Sequence, residues 1–102
     1  MQELQEKAKV FVENNGMHMS IEASMIDLSS EVGDLSKQIL LLSQMGATDP
    51  QNIQITRELI LEFGDVLFSL SNLANIMGID LEKAFEFAME NYEKRVSEGE
   101  LQ

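Results

Sequence analysis

Two short acidic motifs, each set in an apolar segment, restrict what this chain can fold into. The first is Leu28-Ser29-Ser30-Glu31-Val32-Gly33-Asp34-Leu35, and the second is Leu59-Ile60-Leu61-Glu62-Phe63-Gly64-Asp65-Val66. Both contain Glu-x-Gly-Asp, and the copies lie 31 residues apart. On a helix, positions i and i+3 share a face. Two such helices packed side by side bring four carboxylates into one volume. Those charges repel unless cations sit between them, and oxygen-only ligation suits Mg²⁺ or Mn²⁺.

The chain reads as helices throughout, punctuated by one proline and six glycines. Apolar Leu4, Ala8, Phe11 and Val12 predict an amphipathic helix over about Leu4–Glu13, ended by Asn14-Asn15-Gly16. Ser20 has the chemistry of an N-cap for a second helix running to about Met45. Gly46-Ala47-Thr48-Asp49-Pro50 is the clear loop. A third helix is expected from about Ile53 to Met77, closed by Gly78. Asp80 then caps a fourth from Leu81 to about Val96, followed by a frayed tail. The ends of the second and third helices, Leu42-Ser43-Gln44-Met45-Gly46 and Ala74-Asn75-Ile76-Met77-Gly78, form a weak repeat. The expectation is one all-α domain over residues 1–102, with four helices per chain and the bundle completed by dimerisation.

Composition narrows the function. Eighteen acids against seven bases give a net charge of -11, which excludes the basic footprint of a nucleic-acid groove. A nucleotide ligand stays open, because bound cations reverse the local sign. There is no cysteine, hence no disulfide framework or thiolate site. The apolar runs look too interrupted for a membrane span, so the expected location is cytoplasmic.

Helical geometry separates two kinds of polar surface. At about 100° per residue, Asp27, Glu31, Asp34 and Gln38 form one stripe. Ser29, Ser30, Ser36, Lys37, Ser43 and Gln44 form another, and Leu28, Val32, Leu35, Ile39 and Leu42 the apolar flank. On the third helix, Glu58, Glu62, Asp65, Ser69 and Asn72 make a seam apart from Arg57, Ser71 and Asn75. Leu59, Phe63, Val66, Leu70, Leu73 and Met77 are its expected core face. A monomeric surface helix needs only one polar face. The second seam therefore points inward, to a site. Gly33 and Gly64, each costing about 1 kcal/mol in a helix interior, suggest a close helix crossing there.

The paired motifs, with Asp65-Val66-Leu67-Phe68, Leu73-Ala74-Asn75 and Gly78-Ile79-Asp80-Leu81-Glu82-Lys83-Ala84, resemble the all-α nucleoside triphosphate pyrophosphohydrolases of the MazG-like family. The resemblance covers about residues 20–95. It implies a two-chain bundle, a homodimer or dimer of dimers, with Mg²⁺ (or Mn²⁺) held by Glu31, Asp34, Glu62 and Asp65. It also implies cleavage of a (deoxy)nucleoside triphosphate to the monophosphate and pyrophosphate, with Glu31 accepting a proton from the attacking water. Lys94 and Arg95 are candidates for the triphosphate, and Asn72 for the ribose or base. The chain departs from the family pattern at Asp27, where lysine is frequent, at Ser30, where an acid is, at Asp34, usually glutamate, and at Glu90, where lysine is expected.

Those departures define the competing reading, a catalytically silent helical oligomer that serves as an interaction or regulatory module. A phosphoribosyl-ATP pyrophosphohydrolase shares the scaffold, but no residue favours it. His18 reads as a surface residue, and Met17, Met19, Met25, Met45, Met77 and Met89 as core filling.

Overall fold

The computed structural model describes residues 1–46 and 48–99. Ala47 of the expected loop and the expected frayed tail at 100–102 lie outside the described residues. Four helices follow in order: α1 (Gln2–Asn14), α2 (Ile21–Gln44), α3 (Arg57–Met77) and α4 (Leu81–Ser97). No strand occurs among the described residues.

The helix boundaries follow from side-chain capping. Ser20 accepts from the backbone N–H of Ala23 at 3.1 Å and starts α2. Thr56 accepts from Leu59 N–H at 3.1 Å and starts α3 four residues later than the sequence predicts. The expected first residues, Ile53 to Ile55, are not helical. Two of them are β-branched, and Thr56 itself is extended, with φ -97° and ψ 160°. Asp80 accepts from Glu82 and Lys83 and starts α4. A hydrogen bond from Gln2 holds its carboxyl below the usual range, against a smaller opposing effect of burial. Gly78 closes α3 at φ 71°, and Ile79 N–H returns to Ala74 O at 2.8 Å. That is the left-handed cap glycine adopts without steric cost.

The main packing is α2 against α3, with α1 laid on α3 and α4 touching α1. Asp27 of α2 meets Ser69 of α3, while Glu31 meets Glu62 and Asp65. Rising numbers on α2 therefore meet falling numbers on α3, and the pair is antiparallel. The docking of α1 rests on Gln5, only 7 % exposed. Its Nε2 donates to Asn75 Oδ1 (3.1 Å) and Ile79 O (2.8 Å). Its Oε1 accepts from Leu81 N–H (2.7 Å), and Asn75 Nδ2 donates to its backbone carbonyl (2.9 Å). Asn75 and Ser71, expected on a plain surface stripe, are instead covered by α1.

The burial pattern inverts part of the expected core. Leu42 and Leu59 are buried with Leu35 against them. Yet Val32, Ile39, Phe63 and Met77 of the expected core faces are exposed, while Ser69 and Asn72 of the acidic seam are buried. The plain stripe of α2, Ser29, Ser30, Ser36, Lys37, Ser43 and Gln44, is exposed as expected. Ile26 and Phe87 are more than two-thirds exposed. The surface totals 7664 Å², against about 5,800 Å² for a compact monomer of this mass.

The expected tight crossing at the glycines is not formed within this chain. A Cβ built at Gly33 or Gly64 meets nothing within 4 Å. One further expectation needs correction: α3 contains an 18-residue window with a mean hydropathy of 1.3, enough by length and composition alone to cross a membrane. Here it packs as the central helix, with Glu62 and Asp65 on its seam.

Candidate functional site

The antiparallel α2–α3 pair places one acid of the first motif against two of the second. Glu31, Glu62 and Asp65 each offer a carboxylate oxygen, and the three oxygens lie within 4.8 Å of one another. Glu62 and Asp65 share a face because they are three apart on α3. Glu31 and Glu62 are half-buried, and Asp65 is exposed. Burial pushes the Glu31 carboxyl above its ordinary value, and the charges of Asp65, Asp27, Asp34 and Glu62 add to this. Glu62 Oε2 is buried with no hydrogen-bond partner among the described residues.

An orphaned carboxylate oxygen beside two further carboxylates is costly in a bare protein. A cation between the three removes that cost. The donors are all oxygen, the chemistry of a hard divalent ion. The residues present therefore fit a metal of the Mg²⁺ class.

Beside the trio lies a cavity of ≈ 280 Å³ lined by Val12, Met17, Met19, Asp27, Glu31, Asp65, Phe68, Ser69 and Asn72. No lysine or arginine lines it. Ser69 Oγ donates to Asp27 Oδ2 at 2.7 Å across the helix pair. Asn72 is buried, and its Nδ2 reaches the Met19 sulfur at 3.9 Å. A second, apolar cavity of ≈ 350 Å³ lies between α1 and α3, lined by Leu4, Lys7, Ala8, Phe11, Gly64, Leu67, Phe68 and Ser71. Phe68 walls both, and its ring meets Phe11 edge-on at 5.9 Å.

Acids from adjacent helices facing one cavity are the arrangement the sequence resemblance leads one to expect, and a family comparison covers part of it. Residues 51–99 match the MazG nucleotide pyrophosphohydrolase domain. No curated protein and no solved structure gives a significant match. The MazG match covers α3 with Glu62 and Asp65, and α4. It stops short of α2, so Glu31 and Asp34 enter the site on geometry and motif alone. The resemblance read from the sequence is thereby borne out over residues 51–99, and the four helices bear out the all-α class.

The other expected site residues are placed unevenly around this site. Asp34 is half-buried and lies outside the 4.8 Å group, bearing on Glu31 through its charge. Asn72 does line the cavity. Lys94 and Arg95 stand in the last turn of α4 and are not among the residues that line the cavity. Met17 and Met19, read from sequence as core filling, line the cavity instead and are exposed. Their signal was positional: they flank the turn leading to Ser20, directly before the helix that carries the first motif.

The raised Glu31 pKa has a stability consequence with a definite sign. The folded state holds this proton more tightly than the unfolded chain, whose value is near 4.5. The associated stability is present below that value and is lost as pH rises through the folded-state pKa. Glu31→Gln cannot ionise. In metal-free protein its melting temperature should match wild type near pH 4 and exceed it near pH 8. A difference of equal size at both pH values would remove the electrostatic account of Glu31.

Proposed function

We propose that this protein is a Mg²⁺-dependent nucleoside triphosphate pyrophosphohydrolase, releasing the monophosphate and pyrophosphate. The observation that carries the reading is the Glu31–Glu62–Asp65 trio, two of whose members lie inside the MazG match. Glu31, Glu62 and Asp65 would hold the ion, with Asp34 as a nearby fourth charge; Mn²⁺ fits the same donors. When bound, such an ion neutralises triphosphate charge and acidifies a coordinated water.

The chain's own residues supply the rest. Glu31 is our candidate to accept a proton from the attacking water, because it stands within the acid group and lines the cavity. Met17, Met19, Val12 and Phe68 give the cavity an apolar wall that keeps bulk water from the nucleoside. Asn72 offers a buried amide to the nucleoside. Lys94 and Arg95 are our candidates for the far phosphates, reached in the assembled oligomer. A screen of nucleoside triphosphates with Mg²⁺, detecting pyrophosphate, tests the reading. Absence of release from every substrate would favour the silent module.

The metal assignment has its own check. Binding to the folded state alone stabilises by about 2.7 kcal/mol at a hundredfold excess over Kd. Mg²⁺ or Mn²⁺ at millimolar concentration should therefore raise the melting temperature, and Glu62→Gln should shrink that rise. An unchanged wild-type melting curve would remove the metal site.

The same proposal includes a homodimer or dimer of dimers in the cytoplasm. The excess exposed surface and the bare apolar side chains of α2, α3 and α4 support it. Sedimentation at micromolar concentration should give no folded monomer. A stable monomer with native helix content would overturn the assembly.

A further inference from the structure

The cavity beside the acid trio is ordered along the helix axes. Glu31 and Asp65 stand at one end. One helical turn away, Asp27 on α2 faces Ser69 on α3, since Asp27 precedes Glu31 by four residues and Ser69 follows Asp65 by four. Asn72 is nearly one turn further along α3, roughly 10 Å in axial rise from Asp65. A nucleotide has the same order: phosphate, then sugar, then base.

With the phosphates at the trio, the middle rung faces the sugar. Its chemistry suits a hydroxyl. Ser69 is only 3 % exposed, and its hydroxyl proton is committed to Asp27 Oδ2, which fixes the carboxylate's orientation. With Ser69 donating to one oxygen, the Asp27 carboxylate still presents acceptor lone pairs, and the nucleotide group that suits them at this rung is a hydrogen-bond donor. A sugar hydroxyl is one; a phosphate oxygen is not. The deeper rung shows independently that the cavity is built for a ligand. Asn72 is 6 % exposed and lines it, yet among the described residues its amide finds only the weak acceptor sulfur of Met19, at 3.9 Å. A buried amide so poorly matched costs free energy that a bound polar group recovers.

We propose that Asp27, oriented by Ser69, is the sugar-reading residue of this site and accepts a hydrogen bond from the nucleotide's 3′-hydroxyl. This rests on the nucleotide reading of the pocket and adds to it a specific demand on the substrate. Asp27 touches the ligand, and Ser69 is a positioning residue that acts through it. A carboxylate at this place, in a chain whose family resemblance leads one to expect lysine, is then a change of ligand contact.

The test crosses deletion of the hydroxyl with deletion of its acceptor. Binding of α,β-imido 2′-deoxy- and 2′,3′-dideoxynucleoside triphosphates is measured by calorimetry with Mg²⁺, for each of the four bases. Wild type, Asp27→Ala and Asp27→Asn are compared. A hydrogen bond to a charged acceptor predicts that wild type binds the dideoxy analogue at least about tenfold more weakly. In Asp27→Ala that ratio should fall to near one. In Asp27→Asn, whose amide oxygen still accepts, it should be intermediate. A purely structural role for Asp27 would weaken both analogues equally and preserve the ratio. Equal binding of the two analogues by wild type, or a ratio untouched by Asp27→Ala, overturns the proposal. Either result leaves pyrophosphate release from ordinary triphosphates free to stand. Selective binding without any release would sustain the proposal while removing the hydrolase reading. No binding of any analogue would overturn both.

Discussion

Asp65→Asn is expected to lower Mg²⁺-dependent pyrophosphate release by at least about a hundredfold, the scale on which removing one preorganised charge contact acts. Asp65 is the most exposed member of the trio and lines the cavity, so on the proposed reading it would face both ion and substrate. Its loss removes one of three negative charges from the ion and leaves the helix pair intact. Stability of the metal-free protein should hold or rise, because repulsion on Glu31 falls. Asp34→Asn is the comparison. Asp34 lies outside the 4.8 Å group and should cost much less, under about tenfold, through its charge alone. The measurement is pyrophosphate release for both variants beside wild type, with a melting curve for each. Equal release by Asp65→Asn and wild type would remove the catalytic assignment. Equal loss in both variants would place Asp34 among the ligands.

The largest stability effect is expected at Gln5, far from the acids. Gln5→Ala strips partners from Leu81 N–H, Ile79 O and Asn75 Oδ1 at once. These groups are part-buried, so each left unmade costs toward the lower end of about 1–3 kcal/mol. Even the low end of that range lowers the melting temperature by about 10 °C or more in a domain of this size. Gln5→Glu separates shape from chemistry. It keeps an acceptor for Leu81 but opposes a carboxylate to two oxygens that need a donor, so it should be at least as harmful. Hydrogen exchange should show the loss first in α1. A melting temperature unchanged in both variants would mean that α1 is not seated by this network.

Both results bear on what the sequence makes legible. Glu31, Glu62 and Asp65 announce themselves because charge on an inward stripe has no other use, and the duplicated spacing pairs the helices before any coordinates exist. The caps at Ser20 and Asp80 are local chemistry and were equally readable. The start of α3 was not. Ile53 to Ile55 continue the apolar pattern, and only the hydroxyl of Thr56 fixes the boundary. Gln5 was passed over because Leu4 and Phe11 are the larger apolar neighbours. The buried face of α1 is in fact Gln5, Ala8 and Val12, at i, i+3 and i+7. That register is visible in sequence, but its partners are 70 or more residues away. Asp27 was noted as a departure, and only the fold reveals that it meets Ser69. The apolar faces were misjudged for a different reason. Periodicity reports that a face must be covered, not whether the same chain covers it.

Phe68 is the residue that lines both the acid-lined cavity and its apolar neighbour, so its ring stands between them. The depth of the ligand space is thus a one-residue property. Shortening Phe68 would open a passage between the two volumes, and the joined chamber would admit substituents that the present partition turns away. The ring leans on Phe11, and Phe11 is held in place by the seat of α1. The support of that ring therefore runs through α1 to its seat at Gln5. The tolerance of this site for bulky ligands should vary with how firmly an apparently remote helix is fastened.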